Sequence, residues 1–223
     1  MTRTTNARVA GFTFLFYIAA GISSLVVYGK AASGEGTAAK LASIAQHLTD
    51  VRITVLLGFL QCMSALVLAV TLYAITRDED RDLSLLGLTC RAAEGVLDAI
   101  NLPRTLGLLW LAKAGAGAPD VATANTLGAF LLMPVRDTLI SASFFAVGST
   151  LFSYLLLRGR MIPAPLAWLG VLASILLLVG VPLQLTGFIE GPVAGYMWLP
   201  MLAFEVPLGL WLLVKGAATP ATR

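Results

Sequence analysis

Apolar residues fall into six long stretches, 9–28, 51–75, 83–112, 127–157, 166–189 and 196–214, each bounded by polar or glycine-rich sequence. A helix needs about 20 apolar residues to cross a bilayer, and each stretch is of that order or longer. None shows the period-two alternation of a membrane β-strand, so helices are predicted rather than a barrel. The pattern predicts a single all-α domain, a polytopic membrane bundle of six transmembrane helices. Several are expected to be proline-kinked, because Pro103, Pro134, Pro182, Pro200 and Pro207 lie in or beside the stretches and proline cannot donate the helical hydrogen bond. The third and fourth stretches are long and carry charges, and are expected to tilt or kink.

The segments between the stretches add an orientation. Arg3, Arg8, Arg77, Arg81, Arg158, Arg160, Lys215 and Arg223 would lie on the amino-terminal side, against Lys30, Lys40, Arg52 and Lys113 on the other. The excess of basic residues on one side predicts that both termini are cytoplasmic. The first apolar run, Val9 to Val27, exceeds the roughly 7–15 residues of a signal-peptide core and reads as a retained span. In the long loop 29–50, Ala38, Leu41, Ala45 and Leu48 fall at helical spacing. They fit either a short amphipathic helix on the outer surface or a solvated loop. His47 sits there and reads as an exposed histidine without a role. The charge run 77–82 reads as a solvated turn, and the small, polar tail 216–223 as disordered. Tyr28, Tyr73, Trp110, Tyr154, Trp168, Tyr196 and Trp198 lie near span ends and fit an interfacial belt. Ala142, Ala146 and Thr150 form a small-residue stripe suited to close helix packing.

Composition agrees with the pattern. Hydrophobic residues make up 58% and charged residues 12% of the chain, where soluble domains carry about 25% charged, and the mean hydropathy is +0.86. The chain has too few charges to build a soluble surface, so lipid is the expected partner. The net charge of +3 is accounted for by the loops. No basic run with interleaved aromatics points to nucleic acid. Cys62 and Cys90 read as small buried side chains. One histidine excludes sites built on several, and neither a metal nor a cofactor is expected. Oligomeric state leaves no signal.

The third stretch carries the chemistry. Arg91, Glu94, Asp98 and Asn101 fall within roughly 80° of one helix face at 100° per residue, with Arg104 off it. The fourth stretch adds Arg136 and Asp137, and the sixth adds Glu205. Each charge at the bilayer centre costs about 2.5–3.5 kcal/mol on insertion scales, so these residues are expected to face other helices or a wet cavity. Asn101, Arg136 and Glu205 lie about ten residues in from the same face, which places one charged layer near mid-membrane. Arg91 and Glu94 can pair at i, i+3. Arg91, Arg104 and Arg136 oppose Glu94, Asp98, Asp137 and Glu205, leaving one carboxyl unmatched. Glu205, with no arginine near it in its own span, is the candidate.

Further segments carry a resemblance: Arg8 to Phe12, Arg91-Ala-Ala-Glu94, Leu151 to Pro163 leading to Leu169-Gly170, and Phe204-Glu205 through to Gly216. Together they resemble the bacterial membrane family named domain of unknown function 4386. The closing Glu-x-x-x-Gly-x-Trp-Leu-x-x-Lys-Gly is the most specific part, and the stretch 101–104 departs from the pattern. The resemblance implies a six-helix protein of bacterial inner membranes and implies no activity. It singles out Arg91, Glu94 and Glu205. Three readings follow. The first is a small transporter or a proton- or ligand-binding protein with a polar midplane cavity for a small molecule or ion. The second is a structural or partner-binding protein whose buried charges lock the bundle. The third is an intramembrane enzyme acting on a lipid or isoprenoid. No Gly-x-Ser-x-Gly, His-Glu-x-x-His, phosphate-binding loop or dinucleotide fingerprint supports catalysis, and no catalytic residue is assigned.

Overall fold

A computed structural model describes residues 1–113, 117, 119–133 and 137–220, with only the backbone of Asp137. Among these residues there are helices and no strands. In chain order they are α1 (Arg3–Ala31), α2 (Gly36–Gln46), α3 (Leu48–Thr76), α4 (Arg81–Ala99), α5 (Asn101–Lys113), α6 (Val121–Leu132), α7 (Asp137–Arg158), α8 (Ala164–Leu185), α9 (Pro192–Tyr196) and α10 (Leu199–Val214). Five segments are long and apolar enough to cross a membrane: Arg3–Ala31, Leu48–Thr76, Thr138–Arg158, Ala164–Leu185 and Pro192–Val214. At 29 residues, α1 is about 43 Å long at 1.5 Å per residue, more than the roughly 30 Å of hydrocarbon.

The long helices form a closed circuit in chain order. α1 packs on α3, α3 on α4, α4 on α7, α7 on α8, α8 on α10, and α10 returns to α1. The closure is a backbone contact. A methyl group on Gly11 would run into the Leu213 amide and the Gly209 carbonyl, so α1 and α10 approach as closely as glycine allows.

α4 belongs to the circuit although its hydropathy is too low to single it out, because it is built inside out. Its buried face carries Ser84, Gly87, Arg91 and Glu94, spaced by three and four residues, while Leu85, Leu86 and Val96 are exposed. Amphipathic periodicity is present, but the polar stripe faces protein and the leucines face out.

Two expected spans are each divided. The stretch 83–112 breaks at Ile100 into α4 and α5. Pro103 explains the break, since it has no N–H to donate to Ala99, the last residue of α4. The stretch 127–157 separates into α6 and α7, with Pro134 and Arg136 outside the described residues. α2, α5 and α6 pack together beside the circuit, around a satellite core of Ala31, Ile44, Val51, Leu108 and Leu109. The helix expected in the loop is therefore present as α2, but it packs on protein. Its inward residues are Leu41 and Ile44, while Ala38 and Ala45 are exposed. The bulkier side chains, with more apolar area to bury, set the face.

One end of the circuit collects four segments of chain. Arg3 pairs with Asp78 at 3.4 Å, and Arg158 pairs with Glu79 at 2.8 Å and Asp80 at 3.2 Å. The Ala218 amide donates to the Met161 carbonyl at 3.0 Å. The amino terminus, the α3–α4 turn, the α7–α8 turn and residues 215–218 thus meet at one end. The expected solvated turn is tied down by these pairs, and the expected disordered tail starts with a buried Gly216.

Candidate functional site

The α4 stripe points into the circuit and meets α1, α7 and α10. Arg91 Nη1 lies 2.8 Å from Glu94 Oε2, with side chains 1% and 2% exposed. The guanidinium and carboxylate touch at an angle outside hydrogen-bond geometry, and Arg91 Nε and Nη2 have no hydrogen-bond partner among the described residues. Tyr17 donates its hydroxyl to Glu94 Oε1 at 2.9 Å. The Arg91 guanidinium carbon sits 4.7 Å from the centre of the Phe145 ring and 5.8 Å from that of Tyr17, within cation–π range. Room for the arginine comes from α7, where Gly148 lies against its aliphatic stem.

Asp98, one turn beyond Glu94, accepts a hydrogen bond from Ser141 Oγ at 2.5 Å. It lines two cavities. The larger, of about 520 Å³, is bounded by Tyr17 and Ile22 of α1, Glu94 and Asp98 of α4, Ser141, Ala142 and Phe145 of α7, and Trp198, Leu202 and Glu205 of α10. The smaller, of about 290 Å³, is lined by Ser24, Thr54, Gln61, Asn101 and Thr105 and shares Asp98 and Thr138 with the first. Its walls are mixed, with Val55 and Leu102 beside the polar side chains, whereas those of the first are largely apolar apart from its carboxyls and hydroxyls.

Glu205 is 7% exposed and makes no hydrogen bond or ion pair among the described residues. It faces the large cavity on one side. On the other it shares with Arg91, Ser149 and Ser153 a hollow of about 10 Å³, at the lower limit for a single water. Among the described residues Glu205 thus has no direct ion-pair partner, while Arg136 and the side chain of Asp137, which the charge count includes, lie outside them.

The remaining expected site residues are placed as follows. Asn101, at the start of α5, lines the smaller cavity and not the larger one that Glu205 lines. Arg104 caps α6: its Nη2 donates to the Phe130, Leu131 and Met133 carbonyls at 3.0, 3.4 and 3.3 Å, where a cation also meets the negative end of the helix dipole. Arg136 and the side chain of Asp137 lie outside the described residues. Sequence reasoning missed Tyr17, Ser141, Phe145 and Gly148, and placed Trp198 in the interfacial belt. Trp198 instead packs on Phe145 with ring centres 5.8 Å apart. Tyr17 carried a usable signal, being a tyrosine in mid-span rather than at an end. Ser141 and Gly148 carried none that set them apart from other small residues.

The family model described as domain of unknown function (DUF4386) matches residues 9–216. The chain belongs to this family. The match runs from within α1, the helix that carries Tyr17, to the end of α10, the helix that carries Glu205, so the circuit and its charged interior lie within the matched region. No curated protein matches the chain, and no solved structure does. Membership assigns no chemistry, and the functional reading rests on the side chains described above.

Proposed function

We propose that this DUF4386 protein crosses a bacterial inner membrane six times, with both termini cytoplasmic, and binds a small ligand in the cavity inside its helical circuit. α4 supplies the sixth crossing. Its place between α3 and α7 and its outward leucines support this reading. The end that gathers Arg3, Arg77, Arg81, Arg158 and Lys215 would be the cytoplasmic one.

The observation that carries the ligand-binding reading is the cavity itself. At about 520 Å³ it lies within the range of about 300–1,000 Å³ for small-molecule sites, and it has their character of apolar walls with a few convergent polar groups. Its rim residues Ile22, Leu199 and Leu202 are exposed, so the opening is bordered by apolar side chains and admits a ligand from the lipid side. The Arg91–Glu94–Tyr17 unit is different in kind. It is buried and mutually paired, which supports a locking role for that part of the stripe, while Asp98 and Glu205 face the space.

The test uses purified full-length protein in detergent and the neutral dye N-phenyl-1-naphthylamine, read by energy transfer from tryptophan. Saturable transfer is expected, weakened by Trp198→Phe and lost when Ala142→Phe and Leu202→Phe together fill the cavity. Equal transfer in the filled variant and the wild type would show that the cavity is not a binding site.

A further inference from the structure

We infer that the ligand of this cavity is an organic cation with an apolar body, a choice that rests on the proposed binding function and adds the sign of the ligand's charge. Three features of the site agree on that sign.

The first is Glu205. A carboxyl 7% exposed, without hydrogen bond or ion pair among the described residues, at the wall of a 520 Å³ space, lacks the partner that buried charge requires. A cation in the cavity would supply it. The second is the balance of charge. Glu94, Asp98 and Glu205 all face the cavity, and Arg91, the one described guanidinium among them, is engaged by Glu94 at 2.8 Å. An anionic ligand would enter against two further carboxyls, and no described cation lines the cavity to meet it. The third is aromatic. Tyr17, Phe145 and Trp198 line the same space, and the first two already hold Arg91 over their rings. Clustered ring faces beside a carboxylate are the chemistry that recognises alkylated ammonium and related soft cations. The apolar walls and rim favour a ligand with an apolar body over a small hydrated ion, which would leave most of the cavity surface without a complementary partner.

The probes are tetraphenylphosphonium and tetraphenylborate, which have nearly the same shape and opposite charge. Each competes with the naphthylamine dye on the full-length protein in uncharged detergent. Tetraphenylphosphonium is expected to displace the dye at a concentration about tenfold or more below tetraphenylborate, as a carboxylate in a partly desolvated site requires. Glu205→Gln should remove that preference and Glu205→Asp should retain most of it. Should Glu205→Gln fail to fold, Glu205→Ala takes its place beside Asp98→Asn: a preference lost in the former and kept in the latter supports the inference, and one kept in both overturns it. Displacement by the borate at equal or lower concentration overturns the inference, as does a cation preference unchanged in Glu205→Gln, and either leaves the cavity as a binding site. Absence of dye binding in the wild type removes the proposed function and this inference together.

Discussion

Gly148 of α7 lies flat against Arg91 of α4: a methyl group on the glycine would stand 2.9 Å from Arg91 Cγ and 3.1 Å from Cδ. The atoms in the way belong to the near end of the side chain, which cannot swing aside without moving the guanidinium. Gly148→Ala should therefore push Arg91 off Glu94 as well as strain the α4–α7 contact. A loss of about 1–3 kcal/mol is expected, the usual cost of overpacking, read as a lower thermal midpoint of the detergent-solubilised protein. An unchanged midpoint would mean that the helices separate here without penalty.

Arg91 and Glu94 should behave as a unit. Glu94→Gln leaves a buried guanidinium without its counter-charge and should destabilise by about 3–5 kcal/mol. The double variant Arg91→Met, Glu94→Gln should recover a large part of that loss, because both charges are gone. A thermal-unfolding double-mutant cycle measures the coupling, and additive losses would contradict the pairing.

Gly11 closes the circuit. Gly11→Ala places a methyl against the backbone of Leu213 and Gly209, where no side chain can rotate out of the way. The α1–α10 contact should open, with a cost of about 1–3 kcal/mol or more and faster proteolysis at the end that holds Arg3. The same substitution at Gly29, where a methyl meets nothing within 4 Å, should leave both measurements unchanged.

Asp80 gives the circuit a pH dependence at its basic end. Its carboxylate accepts the Leu83 amide at 3.1 Å as the N-cap of α4 and pairs with Arg158 at 3.2 Å. The amide bond, aided by the arginine, holds Asp80 below the usual carboxylate range. With the folded value depressed, the stabilisation is complete above the unfolded value of about 3.9 and is lost as pH falls through the folded one. Wild type should be more stable than Asp80→Ala at pH 6, and the gap should narrow below about pH 4. A gap that widens on acidification would reverse the assignment.

The route from sequence to structure was direct where one helix decides the matter. The i, i+3 spacing of Arg91 and Glu94 foretold their pair, and the one-face stripe foretold that α4 turns its charges inward. It was indirect where the partner lies on another helix. Nothing in the spacing of α1 indicates that Tyr17 reaches Glu94, seventy-seven positions away, or that Gly148 is empty in order to house an arginine stem. Arg104 shows the opposite case. Its charge suggested a buried site, but the break at Ile100 redirects the chain and brings it to the carbonyl end of α6.

By itself the sequence determined an all-α chain built for lipid, the basic end and the residues too polar to face hydrocarbon, because hydropathy and helical period are local properties. Tertiary structure decided which of those residues are satisfied. Packing joined Arg91, Glu94 and Tyr17 into one buried unit, split the third and fourth apolar stretches, and placed the cavity between helices distant in the chain. Glu205 belongs to both accounts. Its lack of a local arginine was legible in the sequence, but that it faces open space depends on where α1, α4 and α7 stop filling the interior, which only their packing fixes.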